Sequence, residues 1–399
     1  SFFITVIFNK CGFLTLFAAE NLTAKRNYIL KKFVRKIYFF VSLHRILYLC
    51  EVYFLYTLYI TNKKHMIQDT KVRAAITAIE AYLPEYILTN DELSHMVDTS
   101  DEWIMTRVGI KERRILKEPV GMSFMAIKAV KTLLEKNNIE PSDIDGIICS
   151  TVTPDMVFPS TAAIISDACG IKNGISFDMQ VGCAGFIHAF KTASLYIESG
   201  FCKRMIVVSG EKMSSIIDYT DRNTCPLFGD GAAAVLIEPC ADGNGLQDAI
   251  LRSDGVGKEY LHMKAGGSIK PATHETVDAR EHFVYQDGKN VFKWAVSKMS
   301  EVSLEIMDRN GLDPNEIYFL PHQANMRIIE SVGNRMNMRP DRVLVNIDKR
   351  ANTSSATIPI LLWDNKHLFL KGDNLVLSSF GAGFAWGSLY IKWAVDNMK

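Results

Sequence analysis

Three short islands each set one reactive side chain among small or polar neighbours: Gly182-Cys183-Ala184-Gly185-Phe186, Pro321-His322-Gln323-Ala324-Asn325 and Ala351-Asn352-Thr353-Ser354-Ser355. A thiol, an imidazole and a carboxamide together suit covalent acyl transfer: one nucleophile to carry an acyl group, and polar groups to stabilise a negative oxygen. The islands lie far apart in sequence, so only tertiary structure can unite them. Each also admits a plainer reading. Cys183 can be a buried small hydrophobe, His322 a core histidine satisfied by one backbone bond, and Asn352 a helix N-cap. Cys183 stands out because it follows a strand and opens a helix, where unpaired N–H groups and the dipole favour an anion. A thiol there is expected to ionise below its usual pKa of about 8.5. His322 ends an apolar strand and opens into polar residues, where parallel sheets place ligand groups.

The elements that must position these islands show as alternating patterns from Met66 onward. Val72–Ile79 reads as a strand, Phe124–Lys136 as a helix, Ile144–Val152 as a buried strand and Thr161–Cys169 as a helix. Ile175–Gln180 is a strand feeding a helix over Cys183–Ser199, and Met205–Ser209 and Ala232–Ile237 are further strands. A second series follows: helix Asn290–Asn310, strand Ile317–Leu320, helix Met326–Met336, strand Val343–Ile347, helix Thr353–Phe369, then strands Asn374–Ser379 and Ser388–Val395. Alternating strand and helix predicts parallel sheets covered by helices. The two series share one order, which hints at a duplicated half.

Composition is that of a globular protein: 399 residues, 48% hydrophobic and 22% charged, enough for a large core in two lobes. The net charge of +1 gives no hint of a nucleic-acid partner. That average hides an asymmetry. Residues 1–65 hold ten Lys/Arg and two Asp/Glu, many Phe and Tyr, no Pro and no Met, although the chain has 16 Met. The stretch lacks the pattern of a signal peptide. Ile46 to Asn62 nears a membrane span but holds Glu51. The favoured expectation is upstream sequence translated by mistake, with Met66 the start, and no membrane partner. Eight Cys without a CxxC pair indicate neither a zinc site nor a disulfide framework. A reducing cytoplasm is the simplest location.

Phe380-Gly381-Ala382-Gly383-Phe384-Ala385-Trp386-Gly387 is not a dinucleotide loop, since such a loop must open a helix and its third glycine is one place late. A glycine turn between two strands instead frees a backbone N–H to face an oxyanion.

With the islands assembled, the chain resembles β-ketoacyl-ACP synthase III, the thiolase-fold enzyme that starts fatty-acid synthesis. Five motifs carry the likeness from about Met66 to Lys399: Asp98-Thr99-Ser100-Asp101-Glu102-Trp103-Ile104, Cys183-Ala184-Gly185-Phe186, Phe228-Gly229-Asp230-Gly231-Ala232, Pro321-His322-Gln323-Ala324-Asn325 and Asn352-Thr353-Ser354. The resemblance implies an α/β fold of five layers, αβαβα, built from two similar halves: 66–239 with the nucleophilic Cys and 240–399 with His and Asn. It implies a homodimer with acyl-CoA and malonyl-ACP as substrates, and neither metal nor redox cofactor. Cys183 would take the acyl group as a thioester. His322 and Asn352 would stabilise the enolate left when malonyl-ACP loses CO₂. The N–H groups of Cys183 and Ala382 would hold the oxyanion.

The same resemblance carries over Thr99, Trp103, Arg107 and Arg222 for CoA, with Asn325 orienting substrate near His322. Arg327 and Lys293 would face acidic ACP, and Phe158 would reach the partner subunit's acyl pocket. Three departures stand out. Lys289 and Asn290 replace part of a Gly-Asn-Glu stretch, Asn334 replaces a basic residue, and Gln180-Val181-Gly182 replaces an alanine run. Two rival functions share the fold: a condensing enzyme of a specialised polyketide or secondary-metabolite pathway, and a non-catalytic ACP-binding homologue. Pocket volume beside Cys183 and the reactivity of its thiol separate them.

Overall fold

Buried strands that run apolar on both faces demand cover on both sides, and the computed structural model supplies it. It describes residues 72–396 and 398, and before them only 7–8, 14–15 and 32. The chain divides into two compact units, Ser1–Asp69 and Thr70–Lys399. In the first, Ile7–Phe8 pairs antiparallel with Leu14–Thr15. The expectations for residues 1–65 otherwise lie outside the described residues.

Two large sheets build the second unit, beside two small two-stranded ones, Ile87–Thr89 with Glu112–Arg114 and Leu261–Met263 with Val284–Gln286. Strands β1 (Arg73–Tyr82), β2 (Gly146–Ser150), β3 (Ile175–Met179), β4 (Met205–Glu211) and β5 (Gly231–Cys240) form the first, in the order β1-β5-β4-β2-β3. β1/β5 and β5/β4 are antiparallel, while β4/β2 and β2/β3 are parallel. Strands β6 (Gly245–Ser253), β7 (Ile317–Pro321), β8 (Asn374–Gly381) and β9 (Ala385–Lys392) form the second, in the order β6-β9-β8-β7. Again the first two pairings are antiparallel and β8/β7 is parallel. Val343 adds one parallel bridge to Phe319 of β7, where the first sheet has its fifth strand. The halves therefore repeat one topology.

Helices complete the layers. α1 (Asp101–Val108) borders the cavity described below; α2 (Ser123–Asn137) and α3 (Thr161–Ala168) pack on the outer face of the first sheet. α4 (Gly185–Glu198) lies between the sheets, α5 (Gly288–Asn310) and α6 (Met326–Arg335) cover the second sheet's outer face, and α7 (Thr357–Asn365) joins α4 in the middle. The result is αβαβα, as the resemblance implied. Each layer follows from local pattern. α2 buries Ala126, Ala129, Val130 and Leu133 at helical spacing. α5 starts where the Asp287 side chain accepts from Asn290 N–H, and stops at Gly311 in left-handed conformation, φ 61°.

Three predicted elements differ. The strand expected over Val343–Ile347 shrinks to the single bridge, because Gln323 Oε1 accepts from Asn346 N–H (3.0 Å) and Ile347 N–H (3.2 Å) and so diverts ladder donors. The last strand begins at Ala385 and ends at Lys392. Cys183 lies in a 3-10 turn, Gly182–Ala184, ahead of α4.

Candidate active site

One strand holds two of the islands. His322 follows β7, and its backbone N–H donates to Ser378 O at 2.8 Å. The next residue of β8, Ser379, donates its hydroxyl to Cys183 O at 2.8 Å. Asn352 is held by the Phe228-Gly229 motif: its N–H donates to Leu227 O (3.0 Å), and its carbonyl accepts from Gly229 N–H (3.1 Å). Its Oδ1 accepts from Ser354 N–H at 2.8 Å, which leaves the Nδ2 hydrogens as free donors.

Ser354 joins all three islands. The Cys183 thiol donates to Ser354 Oγ at 3.7 Å. The Thr357 hydroxyl oxygen lies 3.2 Å from the Ser354 carbonyl and 2.6 Å from His322 Nδ1. Ser354 has φ 52°, a left-handed conformation unusual for a residue with a Cβ. Sequence reasoning missed Ser354 and Thr357 as functional residues. The only available signal was the run of hydroxyl residues after Asn352.

Glycine brings the last part of the site close. A Cβ on Gly381 would sit 2.5 Å from Cys183 N, and one on Gly182 would sit 2.8 Å from Ala382 N. Neither position has room for a side chain. The backbone N–H groups of Cys183 and Ala382 thus lie in one crossing of the 182–184 turn with the β8–β9 hairpin.

Burial governs the charges. It pushes the Cys183 thiol up to about 12, with a smaller push from the Glu211 carboxylate, against lowering by the Ser354 hydroxyl and the Cys183 backbone N–H. The expected depression of this pKa is therefore corrected: desolvation outweighs the turn's N–H groups. Burial also raises the Glu211 carboxyl, although it accepts from Val152 N–H (2.9 Å), Thr153 N–H (3.1 Å) and three hydroxyls, including Ser355 at 2.8 Å. His322, only 1% exposed, is pushed down to about 3 by desolvation and is a neutral imidazole near pH 7.

Cys183, His322, Asn352, Ser354 and Ala382 line one cavity of about 850 Å³. Trp103, Arg107, Asn325 and Arg327 line it too, as does Lys289. Its described lining includes Arg107, Lys289 and Arg327 but no Asp or Glu. Arg222 is outside the lining, yet its guanidinium lies 4.7 Å from the Trp103 ring centre and 3.0 Å from Asp98. Arg107 approaches the same ring at 5.4 Å. Asn325 caps α6 by accepting from Arg327 N–H and donates to Arg107 O at 3.2 Å, so its amide is already engaged in the fold. Thr99, Lys293 and Phe158 do not line the cavity. Lys293 is exposed on α5, and Phe158 is 82% exposed.

A duplicated five-layer fold with Cys, His and Asn on one cavity defines a condensing enzyme of the thiolase type. Comparison with known proteins narrows the class. Residues 177–255 match the family model 3-oxoacyl-[acyl-carrier-protein (ACP)] synthase III, and residues 307–393 match its C-terminal counterpart. The chain is 52% identical over 331 residues to β-ketoacyl-[acyl-carrier-protein] synthase III 2 of Bacteroides thetaiotaomicron, covering 82% of this chain and 99% of that one. It is 54% identical over 329 residues to β-ketoacyl-[acyl-carrier-protein] synthase III of Porphyromonas gingivalis, covering 82% and 98%. The crystal structure of 3-oxoacyl-[acyl-carrier-protein] synthase III from Aquifex aeolicus superposes with a TM-score of 0.74 at 37% identity, covering 80% of this chain and all of that one. The chain belongs to the β-ketoacyl-[acyl-carrier-protein] synthase III family.

Proposed function

We propose that the protein joins a short acyl-CoA primer to malonyl-ACP, releasing CoA and CO₂ and giving the 3-oxoacyl-ACP that starts a fatty acid. Cys183 sulfur attacks the primer's thioester carbon, CoA leaves as the thiol, and the acyl group rests on Cys183. The backbone N–H groups of Cys183 and Ala382 receive the oxyanion. Malonyl-ACP then replaces CoA. Its C–CO₂ bond breaks, and the electron pair moves into an enolate whose oxygen accepts from His322 and Asn352. The enolate carbon attacks the acyl carbonyl, the bond to Cys183 breaks, and the sulfur regains a proton. Decarboxylation supplies the carbon nucleophile, so the step requires no redox cofactor or metal.

The observation that carries this function is the meeting of Cys183, Asn352 and the His322–Thr357 pair on Ser354 at one cavity wall. The mouth suits a phosphate-bearing substrate: Arg107, Lys289 and Arg327 line it without an acidic neighbour in the lining. Exposed Arg327 and Lys293 suit an acidic carrier protein. Homodimerisation is part of the proposal. Val157 is 90% and Phe158 82% exposed, and edge strand β3 leaves Ile175, Phe177 and Met179 half-buried, a surface that a second copy would cover. The protein works where thiols stay reduced, because Cys183 must be free to accept the acyl group.

Release of labelled CO₂ from carboxyl-labelled malonyl-ACP, with and without acyl-CoA, tests the proposal. Primer-dependent release that disappears in Asn352→Ala supports it. Release that needs no primer, or survives Asn352→Ala at the full rate, counts against it.

A further inference from the structure

His322 has two ring nitrogens, and enolate stabilisation needs one of them to present a proton to the cavity. Nδ1 is engaged by the Thr357 hydroxyl at 2.6 Å, and both residues are buried. That hydroxyl has one proton and two acceptors in reach, Nδ1 at 2.6 Å and the Ser354 carbonyl at 3.2 Å. Either the hydroxyl donates to Nδ1, which puts the imidazole proton on Nε2, or Nδ1–H donates to the hydroxyl, which then turns to the Ser354 carbonyl and leaves Nε2 bare; only the first gives the cavity a donor on His322. Thr357 opens α7, so helix geometry and a β-branched χ1 restrict where its hydroxyl can turn.

Asn352 gives independent support. Its Oδ1 accepts from Ser354 N–H, so its Nδ2 hydrogens are the free donors of that side chain, on the same cavity that His322 lines. Two donors suit one developing oxyanion, whereas a bare Nε2 beside Nδ2 would repel it.

We propose that Thr357 is a positioning residue for the condensation: its hydroxyl donates to His322 Nδ1 and fixes the ring as a hydrogen-bond donor through Nε2 rather than as a base. The inference rests on the condensation proposed above and deepens it. Burial agrees with it, since His322 is held neutral far below its ordinary range. The two half-reactions then respond differently to Thr357. Decarboxylation builds charge on the malonyl thioester oxygen and depends on Nε2–H. Acylation of Cys183 uses the backbone oxyanion donors and does not need His322 as a base.

The test compares Thr357→Val, which keeps the shape and removes the hydroxyl, with Thr357→Ser, which keeps the hydroxyl. Cys183 acylation is followed by intact mass after mixing with acyl-CoA. Decarboxylation is followed by CO₂ release from malonyl-ACP on acylated enzyme. The His322 tautomer is read from ¹⁵N chemical shifts in histidine-labelled protein, with the signal assigned by its loss in His322→Asn. Expected are an Nε2-protonated ring in the wild type and a loss of about 10- to 100-fold in CO₂ release for Thr357→Val, the usual cost of removing a partner that orients a histidine. Acylation should stay within about twofold, and Thr357→Ser should restore CO₂ release. An Nδ1-protonated ring in the wild type, an equal loss in both half-reactions, or a Thr357→Ser enzyme as slow as Thr357→Val overturns the inference. If Thr357→Val does not fold, the wild-type shifts and Thr357→Ser still decide it. A wild type that forms no adduct on Cys183 defeats the condensation itself, while the shifts still report the tautomer.

Discussion

Burial sets the charge state of both reactive side chains, and each state has a measurable consequence. With the Cys183 thiol pushed up to about 12, the thiolate fraction of the empty enzyme should grow about tenfold per pH unit through the neutral range. Alkylation of Cys183 by iodoacetamide should therefore climb steadily from pH 7 to about 9; a plateau near neutrality would show an ionised sulfur instead. His322 is depressed to about 3 from 6.5. Between these values the unfolded chain binds a proton that the folded protein does not, so stability falls as pH drops through that window. The slope from this group should approach about 1.4 kcal/mol per pH unit, and His322→Asn should flatten the acid limb of a denaturation series. A limb unchanged by that substitution would place the acid sensitivity elsewhere. Lys289 belongs to the cavity mouth. Lys289→Ala should raise KM for acyl-CoA several-fold with little change in kcat and weaken its dependence on salt; equal salt dependence in both enzymes would remove Lys289 from the phosphate contacts.

The elements matter through where they end. β8 presents Ser378 to the His322 backbone and Ser379 to the Cys183 carbonyl, so one strand terminus sets the spacing of two islands. Gly381 closes that strand with Cys183 N only 2.5 Å from where its Cβ would be. Gly381→Ala must displace the turn, and kcat/KM should fall about 10²- to 10³-fold, as for loss of an oxyanion donor. Steady-state kinetics beside a melting curve check this, and a wild-type rate would dismiss Ala382 and Cys183 N–H as donors. Much of this level was legible. The islands and the order of most strands and helices follow from periodicity and punctuation. β6 was not, because a register shift between Leu246 and Asp248 breaks its alternation. The strand predicted over Val343–Ile347 failed because a side chain, Gln323, takes its donors. Ser354 and Thr357 were hidden for a related reason: their roles depend on a left-handed turn and a contact 35 residues from His322, and no local pattern records either.

At the scale of the whole molecule, duplication explains the placement of the site. The strands of one sheet fall within residues 73–240 and those of the other within 245–392, and α4 and α7 meet between them. Each middle helix follows a reactive turn, Cys183 before α4 and Asn352 before α7. Cys183 and Asn352 thus occupy like positions in the two halves. The proposed dimer would cover the exposed Val157 and Phe158. Sedimentation should show a dimer, and Val157→Asp should weaken it at least about tenfold, as for a buried interface residue given a charge; an unaffected dimer would put the interface elsewhere. The most direct test of the central claim is the intact mass of the protein mixed first with a short acyl-CoA and then with malonyl-ACP. One acyl group should appear on Cys183 and disappear as 3-oxoacyl-ACP forms, while His322→Asn keeps the acyl group and makes no product. An acyl group on another residue, or one that malonyl-ACP does not discharge, would contradict the assignment.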